Sequence, residues 1–379
     1  MRRKLSRTAL ALVAFGIGCA GASTSPASPR AKTAAAKSAP GKPVSTSARA
    51  SWQFMVSGDS RNCGDAVMPA IAAQASAARV DFYWHLGDFR ALYDFDQDFL
   101  SQPDRRGKHV SITDYNRGVW DDFIQAQIVP FGSTPVFLGI GNHELVVPKT
   151  RLDYVSQFAD WINAAPVREQ RLKDDPKDHR LKTWYHWIHG GVDFVTLDNA
   201  SNEQFDSEQL RWFDGVIGRA EADPQVTAIV VGMHAALPDS LAFDHSMNDW
   251  AQGEKSGRTA YARLVQAQKK KPVYILASHS HFYMSGLFDT PEKKAAGEAI
   301  PGWIIGTAGA VRYKLPPGAA QAKEAKTNVY GYLIATVEAR GAIRFDFKEV
   351  SESDLPAETV RRMSPEFVHE CFAGNSQAR

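Results

Sequence analysis

Val136-Phe137-Leu138-Gly139-Ile140-Gly141-Asn142-His143-Glu144 runs from an unbroken apolar segment into an amide, an imidazole and a carboxylate, with only small or apolar residues between. The apolar part lacks polar alternation, so it reads as a buried strand, and the polar part lies where that strand ends. The arrangement recurs along the chain. Phe54-Met55-Val56 leads to Gly58-Asp59, and Phe82-Tyr83-Trp84 to Gly87-Asp88. Ala228-Ile229-Val230-Val231 leads to Met233-His234, and Val273-Tyr274-Ile275-Leu276 to His279-Ser280-His281. In an open α/β sheet, ligands gather beyond the carboxyl ends of strands, so these blocks are expected to form one site from distant pieces. Oxygen and nitrogen donors without thiolates suit Zn, Mn, Fe or Co. A carboxylate shared by two such ions about 3.5–4 Å apart would clamp an in-line displacement at phosphorus.

In order and spacing, from roughly Trp52 to Val350, the blocks resemble the calcineurin-like metallophosphoesterase superfamily, whose pattern is D-x-H, G-D, G-N-H-E, a lone His and G-H-x-H. The resemblance implies an α/β fold, a four-layer αββα sandwich of two mixed β-sheets flanked by helices. It implies hydrolysis of a phosphate ester by a metal-activated hydroxide at a dinuclear site, with two transition metal ions as cofactors. On the matching positions, Asp88 is the bridging carboxylate, and Asn142, His234 and His279 complete the second metal's shell. Asp59 and His281 hold the first metal. His143 matches a residue that binds no metal but stabilises or protonates the transferring phosphoryl group.

One position departs from the pattern. The family His two residues after the first Asp is Arg61 here, and a guanidinium is permanently charged with no lone pair to donate. The purple acid phosphatase branch also lacks that His but carries a Tyr three residues after the second Asp, where this chain has Ala91, with Tyr93 two residues later. Ser278 stands where the family usually has Gly. Arg61 therefore has two readings. It grips a substrate phosphate with its forked donors, which makes it a catalytic candidate beside His143, or it pairs with a carboxylate such as Asp65 and leaves the first metal weakened.

Arg2, Arg3, Lys4 and Arg7 precede an apolar stretch from Ala9 to Ile17 that is too short to span a bilayer, so residues 1–18 read as a secretory signal. Cys19 resembles a bacterial lipidation site; ordinary cleavage at Ala20-Gly21-Ala22 is the alternative. Residues 19–50 lack aromatic side chains and read as a disordered Ala/Ser/Pro/Lys tether. The protein is accordingly expected in the periplasm or cell envelope, touching membrane only through an N-terminal lipid anchor. Nine of the 44 basic residues precede residue 51, which leaves 35 against 42 acidic ones, a formal −7. An acidic catalytic domain argues against a nucleic-acid groove, while the family resemblance implies a phosphate-ester substrate as the partner. Residues 51–350 are assigned to the catalytic domain and 351–379 to a C-terminal tail. Cys63 and Cys371 either pair, as exported cysteines tend to, or remain buried free thiols.

Along the domain, helices are expected from the Asp65–Pro69 region onward, around Gly118–Ile128, over Leu152–Ile162 and over Ser207–Ile217. The charged stretch Arg168–Lys182 reads as solvated loop. Trp184–Ile188 and Val192–Leu197 read as a hairpin, and Gly302–Phe347 as a second hairpin-rich region. The insertion from Arg90 to Gly132 leaves a strand end and should shape substrate choice. His85 is expected on the face opposite Asp88, in the core. His179, His186 and His189 read as surface or hydrogen-bonded residues, while His245, in the loop after His234, and His109, in the insertion, carry a minority reading as substrate contacts. The Trp184–Trp187 cluster reads as core. Rival functions are a silent binding module that keeps the fold, and an envelope interaction protein with a structural metal. The anchor has a direct check. Cys19→Ala should leave the mature N-terminus without an acyl chain and the protein released from membranes, because each buried CH₂ contributes about 0.8 kcal/mol. Mass spectrometry of the wild-type N-terminus showing unacylated cleavage after Ala22 refutes it.

Overall fold

The computed structural model describes residues 51–339 and 341–376. The expected signal segment, Cys19 and the tether lie outside them. Among the described residues the strands are β1 (Trp52–Ser57), β2 (Phe82–His85), β3 (Val136–Leu138), β4 (Tyr185–His189), β5 (Val192–Thr196) and β6 (Ala228–Gly232). They continue with β7 (Val273–Ala277), β8 (Tyr283–Ser285), β9 (Gly302–Ile305), β10 (Glu324–Lys326), β11 (Tyr330–Val337) and β12 (Ile343–Val350). One five-stranded sheet runs in the order β12-β11-β1-β2-β3, and one seven-stranded sheet in the order β10-β8-β9-β7-β6-β5-β4. Both are mixed. β1, β2 and β3 are mutually parallel while β11 returns antiparallel to β1. In the second sheet β5, β6, β7 and β9 are parallel, and β4 and β8 are antiparallel to their neighbours.

Strand alternation divides each strand between two layers. On one face of β2, the Phe82 ring lies 5.1 Å from Phe194 and Trp84 lies 5.3 Å from Trp187, so this face packs against the other sheet. Phe137 stacks on Trp187 at 4.0 Å in the same layer. Such ring pairs contribute about 0.5–1.5 kcal/mol each beyond area burial. On the other face, the Tyr83 hydroxyl reaches Met68 Sδ on the helix Gly64–Ala78. His85 packs against Phe89 and Phe123, fully buried, and burial pushes its pKa down to about 3. The helices Ser207–Ala222 and Ala251–Gln268 bury Phe213, Val216, Leu264 and Val265 in the cluster that includes Val231 and Ile275. Two mixed sheets flanked by helices give the four-layer αββα sandwich.

Several elements differ from their sequence reading. The Arg168–Lys182 stretch begins inside a helix, Ala165–Asp174, because Pro166 opens it and Val167 and Gln170 are buried on one side. That single buried apolar residue left no periodic signal. The helix expected near Gly118 starts earlier, at Ile112, capped by Ser111, and passes into a π-turn at Ile124–Ile128. Pro69 lies in the second turn of Gly64–Ala78, not the first. The Asp65 carbonyl that its missing N–H leaves free accepts instead from Arg362.

Arg362 comes from the segment set apart as a tail, which folds back as the helices Ala357–Met363 and Pro365–Ala373. Met363, Val368 and Cys371 are buried, and Arg312 donates to the carbonyls of Cys371 and Phe372. Cys63 and Cys371 form a disulfide across 308 residues of sequence, with Cα atoms 5.8 Å apart. Cys63 lies two residues beyond Arg61, so the bond ties the loop after β1 to the last described helix. Cys63→Ser with Cys371→Ser should cost about 2–5 kcal/mol of stability. A denaturant midpoint that is the same for the double variant and the oxidised wild type would show that the bond carries no stability.

Candidate metal centre

Each polar block occupies the carboxyl end of a parallel strand: Asp59 after β1, Asp88 after β2, Asn142 and His143 after β3, His234 after β6, His279 and His281 after β7. The first three strands belong to one sheet and the last two to the other, and the loops interlock. The His279 backbone N–H donates to Asp59 Oδ2 at 2.8 Å, and Gly58 N–H donates to Ile305 O at 2.9 Å. Asp59, Asp88 and His279 have φ of 61°, 60° and 66°, the left-handed region. Such a conformation costs on the order of 1–3 kcal/mol for a side-chain-bearing residue.

Glu144 holds the Asp88 turn. Its carboxylate accepts from the backbone N–H groups of Asp88, Phe89 and Gly141, each at 2.8 Å. Burial and the nearby Asp88 charge still push its pKa up to about 8. The Asp88 carboxylate in turn accepts the His143 N–H through Oδ1 at 3.0 Å. A Cβ at position 141 would come within 2.2 Å of that oxygen, so only glycine fits there. Ser278 is accommodated by a second glycine: a Cβ on Gly58 would lie 2.7 Å from the Ser278 Cβ.

Four acceptors then converge. His234 Nε2 lies 2.9 Å from His279 Nδ1, 3.0 Å from Asn142 Oδ1 and 3.2 Å from Asp88 Oδ1. The other ring nitrogen of His234, Nδ1, lies 3.1 Å from Ser278 Oγ and 3.2 Å from the Leu86 carbonyl; the carbonyl can only accept, which favours a proton on Nδ1 and an Nε2 turned toward the other three atoms. Buried acceptors that face one another call for a positive charge between them, a proton or a metal ion. Burial opposes charging His234, yet the Asp88 carboxylate pushes its pKa up to about 9, so with no ion bound a second proton on Nε2 takes the place an ion would fill. Asp88, His234 and His279 place one donor atom each within 4.8 Å of one another. The chemistry of this quartet fits a borderline divalent ion.

The remaining residues border the quartet. Asp59 Oδ1 and Asp88 Oδ2 are buried without a hydrogen-bond donor. His281 Nε2 is 3.3 Å from Asp59 Oδ1, and His143 Nε2 is 3.7 Å from Asp88 Oδ2. Arg61 enters between the two imidazoles, with Nη1 2.7 Å from His143 Nε2 and Nη2 3.3 Å from His281 Nε2. It does not pair with Asp65, whose carboxylate is taken by Arg90, Gln102 and Gln127. This half offers two donors to an ion but meets a cation at position 61.

Other neighbours had little or no sequence signal. Tyr93 gives its hydroxyl to Arg61 Nη1 as acceptor at 3.0 Å, and Tyr313 stacks on His281 at 4.0 Å. His245 lies 5.4 Å from His279, ring to ring. Glu203 Oε1 is 3.6 Å from His279 Nε2, and burial pushes its pKa up to about 7. Asn199 holds the residue after His234 through both its amide atoms, to Ala235 O and from Ala235 N–H. Glu144 stood in the quoted motif; the others come from loops without pattern. The other histidines sit elsewhere, His186 between Asp174 and Asp193 and His189 on Asp81. A cavity of about 490 Å³ near His186 is lined by Arg171, Arg180, Lys182 and Trp184, on the helix–hairpin side of the domain. Its Asp174 is already bonded to His186 and Arg219, and its Arg180 to Glu208.

Comparison with known proteins agrees with this geometry. Residues 54–283 match the model of the calcineurin-like phosphoesterase family. Two Arabidopsis thaliana proteins named probable inactive purple acid phosphatase 1 and 27 are 27% and 26% identical over 165 and 184 residues. These stretches are 43% and 46% of this chain, but the chain spans only 26% and 28% of those relatives' length. The fold is similar to that of the purple acid phosphatase PPD1 from yellow lupin, with a TM-score of 0.55 and 16% identity over 80% of this chain and 52% of that one. The family match covers more than half of the chain and takes in every strand end that carries a converging side chain: the protein belongs to the calcineurin-like phosphoesterase family.

Proposed function

We propose that the protein hydrolyses a phosphate ester at a metal centre, with the reaction carried out in an exported location. The observation that carries this is the buried convergence of Asp88 Oδ1, Asn142 Oδ1, His234 Nε2 and His279 Nδ1 with no lysine or arginine side chain among them. On this reading those four residues hold an ion, and Asp59 and His281 form the other half of the family's two-ion arrangement. Bound metal supplies a Lewis acid for the phosphoryl oxygens and lowers the pKa of water near it. The Cys63–Cys371 bond supports export, since disulfides persist in oxidising compartments.

The chain's own residues do the rest. Arg61 directs donors toward the acceptor-lined site and would bind phosphoryl oxygens, which carry the charge it matches. His143 is fixed by its Nδ1–H, which donates to the Ala91 carbonyl at 2.7 Å, so Nε2 points inward. When a phosphoryl group draws Arg61 to itself, His143 Nε2 is free to carry a proton. Water oxygen then bonds to phosphorus as the ester P–O bond breaks. The leaving alkoxide takes the His143 proton, and the proton lost by the water restores it. Asp88 and Glu144 keep the ligand frame rigid throughout.

A second reading has a specific observation behind it. Arg61 already occupies His143 Nε2, and the two similar plant proteins are named as probably inactive. A centre locked in that state would bind metal and phosphate without turnover. Phosphate release from an aryl phosphate ester, lost on chelation and restored by divalent metal, decides for hydrolysis; metal uptake without release decides for the second reading.

Two substitutions test the roles assigned. Asp88→Asn replaces the charged donor of the quartet and should reduce hydrolysis below detection while lowering metal content; a folded variant with full activity refutes the assignment. His143→Ala should lower turnover by about 10²–10⁴-fold, the range for losing an acid–base group, at unchanged metal content. Loss of metal in step with activity would instead make His143 a ligand.

A further inference from the structure

The two halves of the centre differ in what already fills them. Among the described residues, no lysine or arginine side chain stands between Asp88, Asn142, His234 and His279. In the other half a cation is built in. His143 and His281 each direct Nδ1 at a backbone carbonyl, Ala91 O and Val311 O, both at 2.7 Å. A carbonyl only accepts, so both protons sit on Nδ1 and both Nε2 atoms offer lone pairs inward. The Arg61 guanidinium bridges those lone pairs at 2.7 Å and 3.3 Å, in a residue only 7% exposed. The Asp88 and Asp59 carboxylates face its charge, and Tyr93 receives another of its N–H groups.

We propose that the centre binds a single divalent ion, on Asp88, Asn142, His234 and His279, and that the Arg61 guanidinium supplies a permanent positive charge where a second ion would be. The inference rests on the metal-centre reading above. The His281 Nε2 lone pair cannot serve a guanidinium N–H and an ion together. An ion bonded to it at about 2.0–2.1 Å would have to displace the guanidinium nitrogen now beside it. Arg61 keeps its charge at any accessible pH and brings no lone pair in exchange. Asp59 and His281 are then partners of the guanidinium, and the side chain at position 61 decides the metal count. Phosphoryl oxygens would meet one ion on one side and forked N–H donors on the other, a geometry suited to bidentate contact.

Metal stoichiometry tests this without reference to turnover. The full protein is stripped with chelator, reloaded with excess Mn(II), desalted, and measured for Mn per chain and by electron paramagnetic resonance. Wild type should hold one Mn with an uncoupled spectrum. Arg61→His, which supplies a lone pair and removes the charge, should hold two with an exchange-coupled spectrum. Arg61→Gln guards against a histidine variant that fails to fold, and should take up a second Mn at higher concentration than Arg61→His. Two Mn per chain in the wild type overturns the inference and leaves the metal-centre reading standing. A single Mn in folded Arg61→His also overturns it, because Arg61 would not be what excludes the second ion. Wild type and variants that bind no Mn overturn the metal-centre reading and this inference together.

Discussion

Lone pairs buried against one another govern this domain. His279 Nδ1, Asn142 Oδ1 and Asp88 Oδ1 all lie within 3.2 Å of His234 Nε2, away from water. Packing that places acceptors together away from water is unfavourable unless a positive charge joins them. Much of the surrounding architecture serves to hold that arrangement: left-handed turns at three ligand-bearing strand ends, Glu144 gathering three backbone donors, and glycine at 58 and 141 where any side chain would collide. The frame uses both sheets, so it depends on the aromatic layer of Phe82, Trp84, Phe137, Trp187 and Phe194 that fixes one sheet against the other.

Position 61 shows how one substitution redistributes charge across such a frame. At an effective dielectric near 20, two unit charges 4 Å apart interact by about 4 kcal/mol. A divalent ion beside a guanidinium would meet roughly twice that repulsion, against attraction from Asp59 and Asp88. The Asp65 carboxylate cannot relieve Arg61, since it is committed to a separate buried cluster around Arg90. Arg61 is therefore held in the site by the absence of a competing partner as much as by His143 and Tyr93.

Strands and their terminal donors were legible in sequence because buried parallel strands are short, apolar and β-branched, and their ends carry the polar residues. Phe54–Val56, Ala228–Val231 and Val273–Leu276 follow that rule, and the resemblance of Gly141-Asn142-His143-Glu144 to a family motif set them in order. Other features lacked a local signature. The helix Ala165–Asp174 buries little apolar surface, so its pattern resembles a solvated loop. The segment after Val350 shows a role only when Arg362 is seen to answer the carbonyl freed by Pro69. Pairing of Cys63 with Cys371 depends on a 5.8 Å approach that spacing cannot reveal. Tyr313, Glu203 and Asn199 reach the centre from loops whose paths are set by tertiary packing.

The cluster around Arg90 has a consequence for the mouth of the site. Arg90 is bound by Asp65, Asp98 and Asp122, and Asp96 accepts from the N–H groups of Asn62 and Ala91 and from the Tyr115 hydroxyl. Residues 90–98 are thus fastened at both ends to the interior, with Tyr93 standing exposed between the fastenings. Such a rim is a template and not a closing lid. On the proposed function, the room this rim leaves beside the guanidinium would bound the leaving groups that fit.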